Sequence, residues 1–305
     1  MKSNLLKLLV ILLVLPLFSK AFAAPQLKMD LQPDGLYLNN LNVAVLKKIF
    51  KDYDYEDFVR ENNKIPPIFL ESMPVDFDKI KSQDERNKLF IMIMAPLVLK
   101  VNEEIIFERN KLQNIKDDFD AGKNLSEEQK QLLSEMANKY DVFTRMKGRD
   151  YEDIVLRELL RKINIIPPAI AIAAAASESN WGTASEVKEG NALYKIKNWY
   201  TDEGIKPKDE DDDSYRIRTY PDLLSAIRDY ALKINSDVNF QALREVRRQL
   251  MNRNKTPRGR MTVYSMVIGS PLENYAGLLS YILTFYDLIN IDESTLSDIV
   301  EMEGK

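Results

Sequence analysis

The spacing of apolar residues is helical along most of this chain, and no other feature constrains the fold as strongly. Apolar side chains recur every three to four residues over 42–51 and over 84–115, which is typical of one face of an amphipathic helix. Another helix is predicted to begin at Ser126, because Gln129 follows three residues later in a capping-box pattern. Only 10 of the 305 residues are glycine, which argues against a turn-rich β fold. The sequence therefore predicts a mainly α protein.

Two residue types are missing, since the chain has no cysteine and no histidine. Their absence excludes a Ser-His-Asp triad, a thiolate nucleophile, a disulfide and a cysteine- or histidine-ligated metal. Any catalysis must use Asp, Glu, Lys, Tyr, Ser or Thr, and carboxylates are the leading candidates for acid–base chemistry. We expect neither a cofactor nor a metal ion.

The first 23 residues have the pattern of a secretory signal peptide. Lys2 and Lys7 precede an apolar run over 8–18, and an A-x-A site ends at Ala23. This apolar core is shorter than the ~20 residues that span a bilayer, so cleavage is favoured over an uncleaved membrane anchor. We expect an exported protein, periplasmic or otherwise extracytoplasmic, with no stable membrane anchor after cleavage.

Charge bears on the choice of partner. Loss of the leader would remove three lysines and no acids, which changes the net charge from −4 to −7. A net negative chain is a poor general binder of nucleic acid, so we expect no nucleic-acid partner. The basic cluster over 253–260 is interpreted first as a solvated loop, and second as a contact for an anionic polymer.

Two regions are expected to follow the leader. Residues 24–145 are predicted to form a helical N-terminal region, in which Pro96 should kink or split the long helix over 84–115. A second domain is predicted over 146–292, and residues 293–305 are predicted to be a C-terminal tail.

The most informative segment is an alanine-rich helix over 169–178. Pro168 favours its start, and Gly182 is expected to end it. Small alanines lie one and two turns before Glu178 on the same helix face. They allow another element or a ligand to approach closely beside this carboxyl group.

Glu178 is the candidate general acid. The C-terminal end of a helix carries partial negative charge, and burial beside Trp181 disfavours ionisation further. Both effects raise the carboxyl pKa, as a general acid at neutral pH requires. The alternative interpretation is an exposed glutamate at a frayed helix end.

These residues also carry a family resemblance. Residues 178–183, Glu-Ser-Asn-Trp-Gly-Thr, resemble the E-S-x-W-G-[TS] signature of the bacterial β-N-acetylglucosaminidases of glycoside hydrolase family 73, and within that superfamily the Bax-type proteins. Further segments are similar to motifs of the same proteins: 65–70, 97–105, 190–194, 203–207 and 218–227. The resemblance covers roughly residues 60–290.

The resemblance implies a lysozyme-like helical domain with a small β-hairpin lobe, preceded by the helical N-terminal region. It implies peptidoglycan glycan strands as the substrate, with Glu178 protonating the glycosidic oxygen after N-acetylglucosamine. Tyr275 is the best match for a second family site, a tyrosine near the groove floor. The implied substrate-binding residues are Asn180, Trp181, Tyr194, Trp199 and Tyr200. At least two of these aromatic residues are expected to fill the core instead.

The chain departs from the family pattern at Lys195, where the family has glycine. The substitution brings a Cβ and a cation to a place where the backbone usually passes close to the groove. An ammonium within ~4–6 Å of Glu178 would lower the pKa of that carboxyl group. We expect Lys195 to point out of the groove instead, toward the acidic run over 209–213.

The second departure is the missing carboxylate of the hairpin lobe, where this chain has Arg216 and Arg218. Asp213 is a candidate base, although the run over 209–213 also fits a solvated loop tip. That run lacks the central glycine and terminal glutamate of a calcium loop. Without a second carboxylate, the N-acetyl group of the substrate must assist hydrolysis.

Three functions stay open at this point. The first is an exported glucosaminidase that cleaves the glycan backbone of peptidoglycan. The second is a catalytically weakened glycan-binding or scaffolding protein with the same groove, which Lys195 and the missing carboxylate favour. The third is an interaction protein whose N-terminal helices bind a partner.

Overall fold

The computed structural model describes residues 27–56, 59, 63–207, 214–266 and 274–298. The predicted leader, Asp213 with the rest of the acidic run, and the end of the predicted tail lie outside these residues. Helices dominate the described part of the chain, which confirms the mainly α fold. Within that part, no helix combines the length and the hydropathy needed to cross a membrane.

Three α-helices of the N-terminal region have fully described bounds, and each begins at a polar cap. They are α1 (Val43–Asp52), α2 (Gln83–Asp120) and α3 (Glu127–Lys139). The cap residues Asn42, Ser82 and Ser126 each accept a hydrogen bond from a backbone N–H of the first turn, which satisfies a donor that the helix itself leaves unpaired. The capping box predicted at Ser126 is present in full.

The same region contains strands that the sequence analysis did not predict. Strands β1 (Lys28–Gln32) and β2 (Gly35–Asn39) form an antiparallel hairpin, and β4 (Ile68–Leu70) pairs in parallel with β2. Strand β3 (Lys64–Ile65) pairs in parallel with β7 (Thr295–Leu296), which joins the N-terminal region to the C-terminal end. These strands have two to five residues. Such lengths are too short for a periodicity window of 11 to 18 residues to detect.

Helix α2 continues past Pro96, so of the two predicted outcomes the split does not occur and the kink stays a prediction. Proline in a helix interior removes a backbone hydrogen bond and costs ~3 kcal/mol. Here the helix is held from outside, because α2 packs against helices from the second half of the chain. Phe90, Ile93 and Leu97 around the proline are all fully buried. Their tertiary burial offsets the local penalty.

The second half of the chain contains seven helices and a small β lobe in its described residues. The helices are α4 (Gly148–Lys162), α5 (Pro168–Glu178), α6 (Ser185–Gly190), α7 (Leu223–Ser236), α8 (Gln241–Asn252), α9 (Gly259–Thr262) and α10 (Tyr275–Phe285). In the lobe, β5 (Lys197–Asn198) pairs antiparallel with β6 (Arg216–Ile217). The predicted hairpin lobe is therefore present, with strands of two residues each.

Helix α5 is the central element of the molecule. Every residue over 168–176 is buried, and the helix packs against α2 on one side and α10 on the other. Alanine side chains permit this close approach of three helices, since they add little bulk at the interface. Most buried apolar residues of both halves form one cluster, and a smaller cluster of Ala192, Tyr215 and Ile217 lies at the β lobe. The catalytic candidate Glu178 thus lies at the end of the most buried helix.

Candidate active site

A left-handed turn follows the last residue of α5. Asn180, Trp181 and Gly182 have φ values of 48°, 56° and 77°, a region that non-glycine residues rarely occupy. Two backbone donors are satisfied within the turn, because the Trp181 N–H donates to the Ala176 carbonyl at 2.8 Å and the Gly182 N–H to the Ser179 hydroxyl at 2.8 Å. The chain therefore turns away sharply, and the carboxyl group of Glu178 stays at the helix end.

The glycine of this turn has a steric cause as well as a conformational one. A Cβ at Gly182 would lie 2.9 Å from Cε of Met73 and 3.0 Å from Cδ2 of Phe90. Both contacts are shorter than Cβ atoms normally make, and the positive φ disfavours any side chain. The Trp-Gly step of the signature is thus explained by packing against the N-terminal region.

Three groups surround the Glu178 carboxyl group and set its protonation. Burial raises the pKa of Glu178 above its ordinary value, while the Lys195 cation, a hydrogen bond from Tyr275 and the Lys233 cation oppose that rise. The net direction is upward, so burial outweighs the cations. Sequence reasoning predicted the same direction from the helix end and Trp181, and the structure adds Tyr275 and Lys233 as opposing groups.

Tyr275 is the first residue of α10 and is buried against Glu178. Burial, followed by the negative charge of Glu178 and their hydrogen bond, raises the pKa of the Tyr275 phenol above its ordinary value. The phenol therefore stays protonated and donates to the carboxyl group. The structure brings together the two residues that the resemblance had placed in the site.

Tyr194 is in the core rather than on a sugar-binding surface. Its ring stacks on Tyr230 with 3.8 Å between ring centroids and 2° between ring planes. Its hydroxyl donates to the carbonyl of Ala171 at 3.2 Å, and only 6% of the residue is exposed. The predicted substrate-binding role of Tyr194 is therefore corrected, because neither its ring face nor its hydroxyl is available to a glycan.

The other aromatic candidates divide in the same way. Trp181 is half-buried and makes edge contacts with Phe90 and Tyr286, at centroid distances of 5.8 and 4.6 Å. By contrast, Trp199 is 53% exposed and Tyr200 is 90% exposed. These two lie beside β5 at the hairpin lobe, where they can offer apolar faces to pyranose rings.

A cavity of about 760 Å³ lies beside this lobe, and neither Glu178 nor Tyr275 lines it. Trp199 and Tyr200 line it, together with Lys233, which also acts on Glu178. Phe143 of the N-terminal region, 79% exposed, lines the same cavity. The cavity is large enough to hold saccharide units.

Lys195 lies in the left-handed region, with φ of 44°. The glycine that the family has at this position would occupy that conformation without strain. The Lys195 ammonium lies 3.5 Å from the carboxylate of Glu186. The partner expected from the sequence, the run over 209–213, lies outside the described residues.

Three functional candidates were missed by sequence reasoning: Tyr230, Lys233 and Glu186. Tyr230 and Lys233 are three residues apart on α7 and therefore share a helix face, but nothing in the sequence shows that this face turns toward Glu178. The buried hydroxyl of Tyr230 has no hydrogen-bond partner among the described residues. Asn180, by contrast, is exposed, and its side-chain amide donates to the Thr183 hydroxyl at 3.0 Å.

Comparison with known proteins finds a family match in the second half of the chain. Residues 155–282 match the family model described as mannosyl-glycoprotein endo-beta-N-acetylglucosaminidase. This part of the chain is therefore similar to the glucosaminidase family, in a match that covers less than half of the chain. Glu178, Tyr275 and the hairpin lobe all lie within these matched residues.

Two individual proteins are also similar to this chain. Protein bax of Escherichia coli strain K12 is 30% identical over 126 residues, which cover 41% of this chain and 43% of that protein. The chain thus spans less than half the length of this curated relative. The crystal structure of the catalytic domain of the autolysin Auto from Listeria monocytogenes is 18% identical, covers 59% of this chain and 96% of that domain, and superposes with a TM-score of 0.31.

Proposed function

We propose that this protein is an exported β-N-acetylglucosaminidase that cleaves the glycan backbone of peptidoglycan. The observation that carries the proposal is the buried Glu178 carboxyl group, hydrogen-bonded by Tyr275 inside a glucosaminidase domain. Burial raises the pKa of such a carboxylic acid, so the group keeps its proton to higher pH and can protonate a leaving group. No residue outside the glucosaminidase domain is needed for this step.

In the proposed mechanism Glu178 transfers its proton to the glycosidic oxygen as the bond from that oxygen to C1 of N-acetylglucosamine breaks. Glu178 becomes a carboxylate in this step. Its new charge is stabilised by the hydrogen bond from Tyr275 and by the Lys195 and Lys233 cations. The groups that oppose a high pKa in the resting enzyme therefore stabilise the product of proton transfer.

The second catalytic group is proposed to come from the substrate. The strongest charges acting on Glu178 in the described residues are the cations of Lys195 and Lys233 rather than a second carboxylate. The N-acetyl carbonyl oxygen would bond to C1 as the leaving group departs, and water would then open this cyclic intermediate. Asp213, which lies outside the described residues, is the alternative base.

Substrate binding is proposed to use the hairpin lobe. Trp199 and Tyr200 offer exposed rings beside the cavity, and the Lys197 ammonium lies 3.8 Å from the ring centroid of Tyr215 behind them. Asn180 is proposed to contact the glycan near the reacting bond. Trp181 is proposed to act mainly by holding the turn that carries Asn180.

Zymography on purified cell wall, with reducing-end analysis of the fragments, tests this function. The wild-type protein should release fragments with N-acetylglucosamine at the new reducing end. Glu178→Gln should lose ~10²–10⁴-fold in rate, because the amide cannot donate a comparable proton. Retained hydrolysis by this variant would move the acid role to another residue.

The same preparation separates the alternative, a glycan-binding or scaffolding protein with a weakened site. Lys195 beside the acid is the observation that favours it. Such a protein would sediment with purified glycan without releasing fragments. Asp213→Asn distinguishes the two proposals for the second group, since substrate assistance predicts unchanged cleavage by this variant.

Export is proposed from the first 23 residues. Mass spectrometry of the native protein should show a mature chain that begins at Ala24. An intact Met1 on the purified native protein would contradict this proposal.

A further inference from the structure

Lys195 has a backbone conformation that is unfavourable for a residue with a side chain. Its φ of 44° lies in the left-handed region, which is uncommon for a long side chain. Strained residues of this kind cluster at functional sites, where the surrounding structure holds them in place. A functional role of Lys195 is therefore expected to depend on the interactions of its ammonium group.

The first of these contacts is Glu186, in the first turn of α6. Its side chain is only 12% exposed, and its carboxylate lies 3.5 Å from the Lys195 ammonium. The hydroxyl of Ser185 donates to the same carboxylate at 3.2 Å. Burial acts to raise the pKa of Glu186, but hydrogen bonds and the Lys195 charge hold it below its ordinary value. Glu186 is therefore an anion across the neutral pH range.

The charge of Lys195 also acts on Glu178, where it opposes the rise in the carboxyl pKa. Lys195 thus acts on two carboxyl groups. Glu186 pairs with it as a carboxylate, whereas the proposed role of Glu178 needs the protonated form. The other groups that face Glu178 are Tyr275 from α10 and, from α7, Lys233 and the phenol of Tyr230. A lysine ammonium is carried on a flexible four-carbon stem, so its position depends on what binds it.

We propose that Glu186 is a positioning residue, whose carboxylate holds the Lys195 ammonium and prevents it from pairing closely with the Glu178 carboxyl group. This inference rests on the proposed role of Glu178 as the proton donor. The chain has a cation where the family has glycine, and the Glu186 anion compensates for it. The site keeps a lysine near the acid without losing the protonated form of that acid.

The proposal predicts a coupling between three side chains. If the Glu186 charge is removed, Lys195 is free to approach Glu178 and to stabilise its carboxylate. The pKa of Glu178 should then fall by about one unit, the lower end of the effect of a close opposite charge. If Lys195 is already neutral, removal of the Glu186 charge should have little effect, because the two residues act through the same ammonium.

Carbon-13 NMR titration of the glutamate carboxyl groups in the full chain tests this coupling directly. The Glu178 resonance is assigned by its loss in Glu178→Gln. Glu186→Gln should lower the Glu178 pKa by about one unit, Lys195→Gln should raise it, and the double variant should match Lys195→Gln. Equal shifts from Glu186→Gln in the wild-type and Lys195→Gln backgrounds would overturn the proposal, because they would show a direct effect of Glu186. No shift in the wild-type background would also overturn it.

Lys233→Gln is the matched control. This variant removes the second cation that acts on Glu178. Among the described residues, Lys233 forms no ion pair with Glu186. Its effect on the Glu178 pKa should therefore add to that of Glu186→Gln. If Glu186→Gln fails to fold, Lys195→Gln still provides a test, because the Glu186 pKa must rise when its cation is removed. An unchanged Glu186 pKa would then reject the ion pair.

The pH–rate profile provides the functional measurement. The limb on which activity falls with rising pH should move to lower pH by about one unit in Glu186→Gln and stay at the Lys195→Gln position in the double variant. The titration needs no turnover. An inactive wild-type protein with the expected NMR shifts would reject the proposed function alone, whereas an active protein without them would reject only the role of Glu186.

Discussion

The two ends of helix α5 differ in how their polar groups and backbone are stabilised. At the start of the helix, buried polar groups are tied down by many hydrogen bonds. At its end, three left-handed residues, a buried carboxyl group of raised pKa and an unpartnered tyrosine hydroxyl lie together. Backbone strain costs stability, and its concentration in three consecutive residues after Glu178 supports the proposal that this end carries the chemistry.

The start of α5 is anchored by hydrogen bonds with residues that are distant in the sequence. The Asp292 carboxylate accepts from the Ala169 N–H at 2.9 Å and from the Gly259 N–H at 2.6 Å. The fully buried Arg247 donates to the Ile165 carbonyl of the loop before α5 at 2.9 Å and to the Asn235 side-chain oxygen of α7 at 2.7 Å. A rigid anchor of this kind allows the far end of the same helix to hold a strained site.

The largest stability effect is expected from Arg247→Met at the anchored end. Burial lowers the pKa of Arg247 to about 9, so it remains a cation at neutral pH, bound to carbonyls of the loop before α5. Loss of the cation leaves those carbonyls unsatisfied and should cost ~3–5 kcal/mol in the free energy of unfolding. Urea denaturation measures this cost.

Arg248→Met is the control for that experiment. Arg248 is the next residue on α8, and its exposed side chain pairs with Glu245. Exposed pairs contribute ~0–1 kcal/mol, so this variant should unfold close to the wild-type midpoint. Equal losses in the two variants would mean that the loop before α5 is not held by Arg247.

Asp292→Ala should give the next largest effect, about 2 kcal/mol for two backbone donors left without their acceptor. Burial raises the pKa of Asp292 to about 6, against the backbone hydrogen bonds that lower it. Because the folded pKa lies above the unfolded value of 3.8, this contribution is fully present below pH 3.8 and is lost as pH rises through about 6. The destabilisation should therefore be larger at pH 4 than at pH 7.5.

Thermal melts of Asp292→Ala and of Glu293→Ala at both pH values make this test. Glu293 is the neighbouring residue and forms a half-exposed pair with Arg258. Its removal should change stability by less than ~1 kcal/mol at either pH. A destabilisation by Asp292→Ala that grew with pH would contradict the assigned direction of the pKa.

At the catalytic end, Tyr275→Phe should reduce the hydrolysis rate about tenfold, which corresponds to ~1.4 kcal/mol. The variant removes the hydrogen bond that stabilises the Glu178 carboxylate after proton transfer. It should also raise the Glu178 pKa, because that hydrogen bond favours the ionised form. Tyr194→Phe is the matched control, since its hydroxyl contacts the Ala171 carbonyl, and it should keep wild-type activity.

The smallest effect is a gain in stability from Glu178→Gln at neutral pH. The folded pKa of Glu178 is raised, so its stabilising contribution is present below the unfolded pKa of about 4.3 and is lost as pH rises through the folded value. The amide has no charge to bury. The variant should melt at or above the wild-type temperature at pH 7.5, and the difference should vanish at pH 4. A lower melting temperature at pH 7.5 would show that the carboxylate stabilises the fold.

Local features of the chain were predictable because their causes lie within a few residues. The cap at Ser126, the helix start at Pro168 and the turn at Gly182 follow from backbone geometry within one or two helical turns. The raised pKa of Glu178 belongs here in part, since the negative end of its own helix is written in the sequence. For the same reason the mainly α fold could be predicted from periodicity alone.

Features that depend on facing elements could be decided only by the tertiary structure. Strands β3 and β7 are each two residues long, and they pair although most of the chain separates them in the sequence. No local sequence pattern therefore predicts them. Tyr194 and Trp199 are five residues apart in one aromatic-rich segment, yet the first stacks on Tyr230 in the core and the second is exposed. The burial of a side chain is set by which element packs over it.

The polar partners of the acid show the same division. The sequence predicted that Glu178 lies at a helix end, and it showed a lysine, Lys195, that could lower the pKa of Glu178 if it lay close. Only packing brings Tyr275 to the carboxyl group and Glu186 to the Lys195 ammonium. Helix ends and turns are encoded by neighbouring residues, whereas hydrogen bonds and ion pairs between distant residues exist only after the chain has folded.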